Sequence, residues 1–258
     1  MTLPIPIYPD LAGKVAVVTG GSGGIGAATC RLLAANGVKV AVNGRDEARI
    51  DAVVSEIRAA GGEAVGVAAD CADLAAVERM RQQVEQKFGP AEVVVAFAGG
   101  GRARPGPVAQ TTEEEWHSTV DHNLTATFLT LKSFLPGMIE RRRGSIVTMA
   151  SSAARLLTGA PAPYAAAKAA VIMLTRQVAN EVGRHGVRVN CLAPHTVLTE
   201  RVQRFMPEEL QRQLAAAIPL GRLGTPEDVG LATLFLVSAS SSWLTGVTLD
   251  VAGGHVMV

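Results

Sequence analysis

The amino-acid sequence predicts an α/β fold: a doubly wound parallel sheet of about seven strands with helices on both faces. Short β-branched runs alternate with longer helical stretches from one end of the chain to the other, the rhythm of repeated βαβ units. The runs are apolar on both faces, which is what strands covered by helices on each side require. Composition agrees, since 48% of residues are hydrophobic, only 4% are aromatic and 27 are glycine. The interior is therefore aliphatic, with many tight backbone approaches.

In order, strands are predicted at residues 14–18, 38–42, 64–68, 93–97, 145–149, 187–192 and 247–251. Helices are predicted between them, chiefly at residues 46–60, 74–88, 113–139 and 165–184, each ending near glycine as helix C-termini tend to. The glycine-rich stretch 99–106 reads as a loop. A chain of 258 residues can bury one sizeable core, and no repeat, low-complexity tract or linker divides it. One domain spanning residues 1–258 is expected.

Twenty-four Lys and Arg against 23 Asp and Glu leave a net charge of +1, which offers no electrostatic footprint for nucleic acid or an anionic membrane. Small molecules are the expected partners. The cluster Arg141, Arg142 and Arg143 reads as a solvated helix end whose charges suit the dipole. The three cysteines, Cys30, Cys71 and Cys191, lie far apart without metal-ligand spacing, so no metal is expected and the thiols read as reduced. The first residues carry prolines where a signal peptide needs an unbroken apolar stretch, and no run of apolar residues is long enough to span a bilayer. A soluble, cytoplasmic protein is the expectation.

The segment VAVVTGGSGGIGAATCRLLAANG reads as strand, glycine-rich turn and amphipathic helix, with Gly20, Gly24 and Gly26 at the critical places. Glycine lets backbone approach a pyrophosphate, and the free amides and dipole of the helix start favour its charge. Thr19 and Ser22 can add hydroxyl contacts. The spacing TGxxxGxG resembles the nucleotide-binding signature of the short-chain dehydrogenase/reductase family, and the similarity extends along nearly the whole chain. This implies a Rossmann-type fold and a nicotinamide dinucleotide, with Ile25 joining the glycines around its phosphates.

The end of the second strand bears on which dinucleotide. An acid there would accept from a free ribose hydroxyl and repel a 2′-phosphate, but the sequence reads Asn43, Gly44, Arg45. Gly44 falls where NAD-using relatives usually carry Asp, and Arg45 can pair with a phosphate. NADP(H) is therefore favoured, with NAD(H) an alternative, because the glycine loop lacks the second basic residue of many NADP(H) relatives. Asp70 and Cys71 resemble the family's adenine clamp; the other reading of Asp70 is a cap for the helix beginning near Asp73. Where the family usually has Asn-Asn-Ala-Gly this chain has Ala96, Phe97, Ala98 and Gly99. Ala98 and Gly99 still admit the cofactor, but the amides that brace the sheet are missing.

Tyr164 and Lys168 lie one turn apart on a predicted alanine-rich helix, so both project from one face. They match the family's YxxxK pair, in which the Lys charge draws down the phenol pKa so that Tyr exchanges a proton with the substrate oxygen. Counting from Gly144 and from Tyr164 puts the family's catalytic serine at Ser151, with Ser152 the fallback, where a hydroxyl stabilises charge developing on that oxygen. Asn123 matches the family's helical Asn, whose main chain positions a water near the Lys. Asn190 to Pro194 resembles the family's NxxxPG motif, but His195 replaces the glycine. If the position needs positive φ, His suits it less well, and its ring is open to either a packing role or an acid–base one. By the same alignment Pro194, Val197 and Thr199 meet the nicotinamide, and residues of about 195–217 form a substrate-binding lid.

The resemblance thus implies hydride transfer between nicotinamide and a ketone or secondary alcohol, with a 3-oxoacyl reductase among the candidates, and a homotetramer. Two other readings stay open: an epimerase or dehydratase using the same Tyr and Lys, and a non-catalytic cofactor-binding or regulatory homologue.

Overall fold

The computed structural model describes residues 5–100 and 103–257; the middle of the predicted loop at 99–106 lies outside them. Seven parallel strands form one sheet in the order β3-β2-β1-β4-β5-β6-β7. They are β1 (Val15–Thr19), β2 (Lys39–Gly44), β3 (Ala64–Ala68), β4 (Val93–Ala96), β5 (Gly144–Met149), β6 (Val187–Pro194) and β7 (Thr248–Val251). The helices are α1 (Gly24–Ala35), α2 (Glu47–Ala59), α3 (Leu74–Phe88), α4 (Glu113–Val120), α5 (Ala126–Glu140), α6 (Ala162–Val182), α7 (Glu200–Phe205), α8 (Glu208–Ala216) and α9 (Pro226–Val237).

Strand residues divide between two cores by parity. Ala16 and Val18 of β1 pack with Leu33, Ile50 and Leu234, so α1, α2 and α9 cover one face. Val15 and Val17 pack with Met80, Phe134 and Val182, so α3, α5 and α6 cover the other. Burial of both faces is what removes the polar alternation from the central strands. The edge strands depart from it: β3 and β7 expose alternate or most residues, because each has one neighbour and partial helix cover.

Helix starts are set by polar caps. The Asp46 carboxylate accepts from the Arg49 amide at 3.2 Å, and Asp73 accepts from Ala75 and Ala76 at 2.8 and 3.3 Å. Asp73, not Asp70, therefore caps α3. The predicted long helix at 113–139 is broken by a π turn at Asp121–Thr125. Such a turn inserts a residue into the ladder and commonly marks a functional position.

The chain winds outward from β1 to β3, returns to lay β4 beside β1, and winds the other way to β7. The crevice between the carboxyl ends of β1 and β4 is the switch point where open α/β sheets bind ligands. It stays open because the β1–α1 turn has almost no side chains: Gly20 sits at φ +69, and an added Cβ would meet the Phe97 carbonyl oxygen at 2.8 Å. Gly26 packs directly on the turn, and its Cβ would run into the Gly20 carbonyl group.

Gly26→Ala is expected to destabilise the fold by about 1–3 kcal/mol, the cost of overpacking a backbone contact. Gly183, at φ −56 with nothing within 4 Å of an added Cβ, supplies the control. Gly183→Ala is expected to hold or raise stability by up to about 1 kcal/mol. Urea midpoints of the two variants check both.

Candidate active site

A cleft of about 610 Å³ opens at the carboxyl ends of the central strands. The glycine turn with Ser22, Ile25 and Gly26 forms one wall, and Gly44, Arg45, Asp70 and Cys71 lie at its outer end. Ala98 and Gly99 follow β4, Ser151 follows β5, and Pro194, Val197 and Thr199 follow β6; Tyr164 and Lys168 project from α6. The cleft thus brings together the predicted site residues except Asn123 and Thr19, both fully buried; the Thr19 hydroxyl is engaged by the Val95 carbonyl and the Ala98 amide rather than offered to a phosphate. Gly23 begins α1 without a side-chain cap, so the first amides of the helix are left for an acceptor in the cleft. Thr199 caps α7 and lies over the turn, its Cγ2 at 3.2 Å from a Cβ built on Gly24. The residues beyond it form the two short helices α7 and α8.

Buried hydrogen bonds fix the loops that line the cleft. The Thr19 hydroxyl accepts from the Ala98 amide at 3.0 Å. Asn123 clamps Gly100 from both sides, its Oδ1 accepting from the Gly100 amide at 3.1 Å and its Nδ2 donating to the Gly100 carbonyl at 2.9 Å. Nδ2 also donates to the Thr119 carbonyl at 2.8 Å, so both of its N–H donors are used. Asn43 donates to the carbonyls of Val67 and Ala69 and accepts from the Cys71 thiol, holding the Asp70–Cys71 corner.

At the inner end, the Lys168 ammonium donates to the Met149 carbonyl at 2.8 Å and lies 5.6 Å from the centre of the Tyr164 ring. The Ser151 hydroxyl accepts from the Ala153 amide at 3.2 Å and lines the same cleft as the Tyr164 phenol. Ser152, the fallback, is placed differently: it is buried, and its Oγ lies 2.8 Å from Nδ1 of His195. Serine, phenol and ammonium therefore share one cleft with an anion-ready helix start.

The family model described as enoyl-(acyl carrier protein) reductase matches residues 20–255. The chain belongs to the short-chain dehydrogenase/reductase family. Its similarity to reductases and dehydrogenases of this family makes the chain an NAD(P)-dependent oxidoreductase of C=O and CH–OH groups. The chain is 37% identical over 244 residues to a 3-oxoacyl-(acyl-carrier-protein) reductase of Chlamydia pneumoniae, covering 95% of this chain and 97% of the relative. It is 37% identical over 243 residues to BbsD of Thauera aromatica, a subunit of a hydroxy(phenyl)methylsuccinyl-CoA dehydrogenase, covering 94% and 96%. The crystal structure of a Brucella melitensis 3-oxoacyl-(acyl-carrier-protein) reductase with bound NAD superposes with a TM-score of 0.90 at 32% identity, covering 100% of this chain and 98% of that one.

Against the short-chain dehydrogenase/reductase pattern, three departures have physical readings. Ala96 and Phe97 remove two amides, yet Thr19 and Asn123 brace the same loop. His195 is not strained, because the one positive φ outside glycine among the described residues is at Arg142. At Gly44 the volume that a side chain would fill is taken by Ser22, whose Cβ lies 2.8 Å from a built Cβ.

Two cationic or polar groups near Arg45 escaped the sequence reading. Arg49 lies over the turn, where its guanidinium would meet a Cβ on Gly23, and it lines the cleft. It is the third residue of α2, in the first turn after Arg45, and a second cation so close to the end of β2 could have revealed it. His122, in the π turn, accepts at Nε2 from the Arg45 guanidinium at 3.2 Å while its Nδ1 donates to the Ser118 carbonyl at 2.7 Å.

Burial pulls the Lys168 ammonium down to about 8, opposed by the nearby Cys191 thiol. Burial likewise raises the Tyr164 phenol, with the Ser151 hydroxyl working against it. The expected downward shift of Tyr164 is thus reversed in this arrangement, because desolvation of the phenolate outweighs its polar neighbours. Because the unfolded chain binds the Lys proton more tightly, wild type regains stability as pH rises from 8 towards 10.5. Lys168→Met lacks this term, so its stability relative to wild type is expected to fall by about 3 kcal/mol across that window. Parallel urea titrations between pH 7 and pH 10.5 measure the difference.

Proposed function

We propose that this chain is an NADP(H)-preferring carbonyl reductase or alcohol dehydrogenase in which Tyr164, Ser151, Lys168 and Asn123 serve the chemistry. The single observation that carries the reading is that Ser151, Tyr164 and the buried Lys168 line the cleft that also holds the uncapped start of α1. The residues present fit a dinucleotide. The glycine turn receives its phosphates, Asp70 and Cys71 its adenine, and Pro194, Val197 and Thr199 its nicotinamide end.

Bound in this cleft, a nicotinamide dinucleotide supplies or takes up the hydride at the substrate carbon. Ser151 holds the substrate oxygen and stabilises charge as it develops. Tyr164 gives its phenolic proton to that oxygen in reduction and removes it in oxidation. Lys168 keeps a positive charge beneath the phenol; among the described residues one of its three donors is taken, by the Met149 carbonyl, which leaves two for a ligand in the cleft. Asn123 positions the Gly99–Gly100 loop next to that ammonium, with its amide oxygen 2.7 Å and Lys168 Nζ 3.3 Å from a Cβ built on Gly99.

The preference for NADP(H) rests on charge. No acid ends β2, Ser22 fills the space above Gly44, and Arg45 and Arg49 place two guanidinium groups at the outer end of the cleft. Among carbonyl substrates a 3-oxoacyl compound is favoured by the names of the Chlamydia and Brucella relatives. The three free, buried cysteines suit the reducing cytoplasm. Trp243, 97% exposed near the open edge of β7, supports a homotetramer through packing against further copies.

Fluorescence titration is expected to give tighter binding of NADPH than NADH, and Arg45→Ala to weaken NADPH about tenfold while changing NADH little. Tyr164→Phe is expected to lower carbonyl reduction at least about a hundredfold with cofactor binding intact. Equal affinities overturn the preference, and reduction that survives in Tyr164→Phe overturns the proton-donor role. Light scattering at four times 26.8 kDa supports the tetramer, and a mass of 26.8 kDa excludes it.

A further inference from the structure

His195 stands where the family has glycine, yet it is held on three sides. Nδ1 lies 2.8 Å from Ser152 Oγ, the ring stacks on His255 with centres 4.1 Å apart and planes 17° apart, and the backbone amide donates to Val251 at 3.1 Å. His255 in turn approaches the Ala217 carbonyl at 3.4 Å, at the end of α8. His195 lines both the catalytic cleft and a second cavity of about 430 Å³.

The proton on this ring is settled by its neighbour. Ser152 is 4% exposed, and His195 Nδ1 is the one partner of its hydroxyl among the described residues. If Nδ1 carried the proton, the buried serine hydrogen would be left unsatisfied, at a cost that buried polar groups avoid. Ser152 therefore donates to Nδ1, which puts the ring hydrogen on Nε2. Burial and the adjacent His255 both hold the imidazole below its usual pKa and keep it neutral. Nε2–H has no protein partner among the described residues, so a neutral donor is left for a ligand of the cavities that His195 lines, the first of which also holds Ser151 and Tyr164.

We infer that His195 is a specificity-determining residue whose Nε2–H donates to a second oxygen acceptor on the substrate, next to the reacting carbonyl. Ser152 fixes its tautomer and His255 its plane. The favoured substrate class is a ketone bearing an ester, thioester or carboxyl oxygen near the carbonyl, while a plain alkyl ketone leaves the donor without a partner. A neutral donor suffices for an uncharged acceptor, so the preference does not require an anionic substrate. This inference rests on the proposed carbonyl reduction.

The test compares NADPH-dependent kcat/KM for methyl acetoacetate and 2-hexanone, chains of similar length that differ in the second oxygen. In His195→Phe, which keeps a ring to stack on His255, the ratio of the two is expected to fall about tenfold, as loss of one hydrogen bond predicts. His195→Gln, which restores an N–H donor, is expected to recover most of it. An unchanged ratio in His195→Phe with both ketones still reduced overturns the inference and leaves the proposed reaction standing. Wild type that reduces neither ketone with either cofactor overturns both. Nitrogen-15 spectra of the wild-type imidazoles need no variant: Nδ1 unprotonated at His195 supports the assignment, and a protonated Nδ1 overturns it.

Discussion

The contact on which the cleft depends is one between bare backbones. Gly26 at the start of α1 packs on the Gly20 carbonyl, and Gly20 faces the Phe97 carbonyl at the end of β4. Any side chain at these points would push α1 away from the sheet or close the gap between β1 and β4. Because neither carries one, the helix begins at the strand ends with its amides free and its dipole aimed into the crevice. The reversal of winding between β1 and β4 creates the crevice, and glycine keeps it open.

A second constraint opposes the first in character. Lys168 is a charged group at 3% exposure, placed among α6, β5 and β6 in a largely apolar surround. A buried ammonium is costly unless it is hydrogen-bonded, and the protein supplies one bond, from the Met149 carbonyl. The cost is visible as a pKa drawn down to about 8. The Tyr164 phenol above it is shifted by the same burial in the direction that keeps it protonated.

Features that depend on local periodicity or spacing were legible in the sequence. The strands, the glycine turn and the Tyr164–Lys168 pair were read to within a residue or two, because period, turn chemistry and helical spacing are all short-range. Ser151 was separated from Ser152 by counting, and the structure places them differently, Ser151 on the wall of the cleft and Ser152 buried against His195. The π turn at Asp121–Thr125 left no such trace. Its shape goes with the clamp of Asn123 on Gly100, a contact between residues 23 apart in sequence. The Arg45–His122 bond spans 77 residues and was likewise out of reach.

The loss of the family's two asparagine side chains at Ala96 and Phe97 raised the expectation of a weakened cofactor site. The physics asks for less than that pattern suggests. What must be met is the hydrogen bonding of the loop amides, because a buried N–H without an acceptor is expensive whichever residue ought to have supplied it. The Ala98 amide finds Thr19 Oγ1, and the Gly100 amide finds Asn123 Oδ1. On the outer side, Asn43 performs the same service for the corner at Ala69 and Cys71. Each brace comes from a strand or helix fixed by the main core rather than from the loop itself. The loop can therefore change its own side chains while its backbone stays where a ligand in the crevice would meet it.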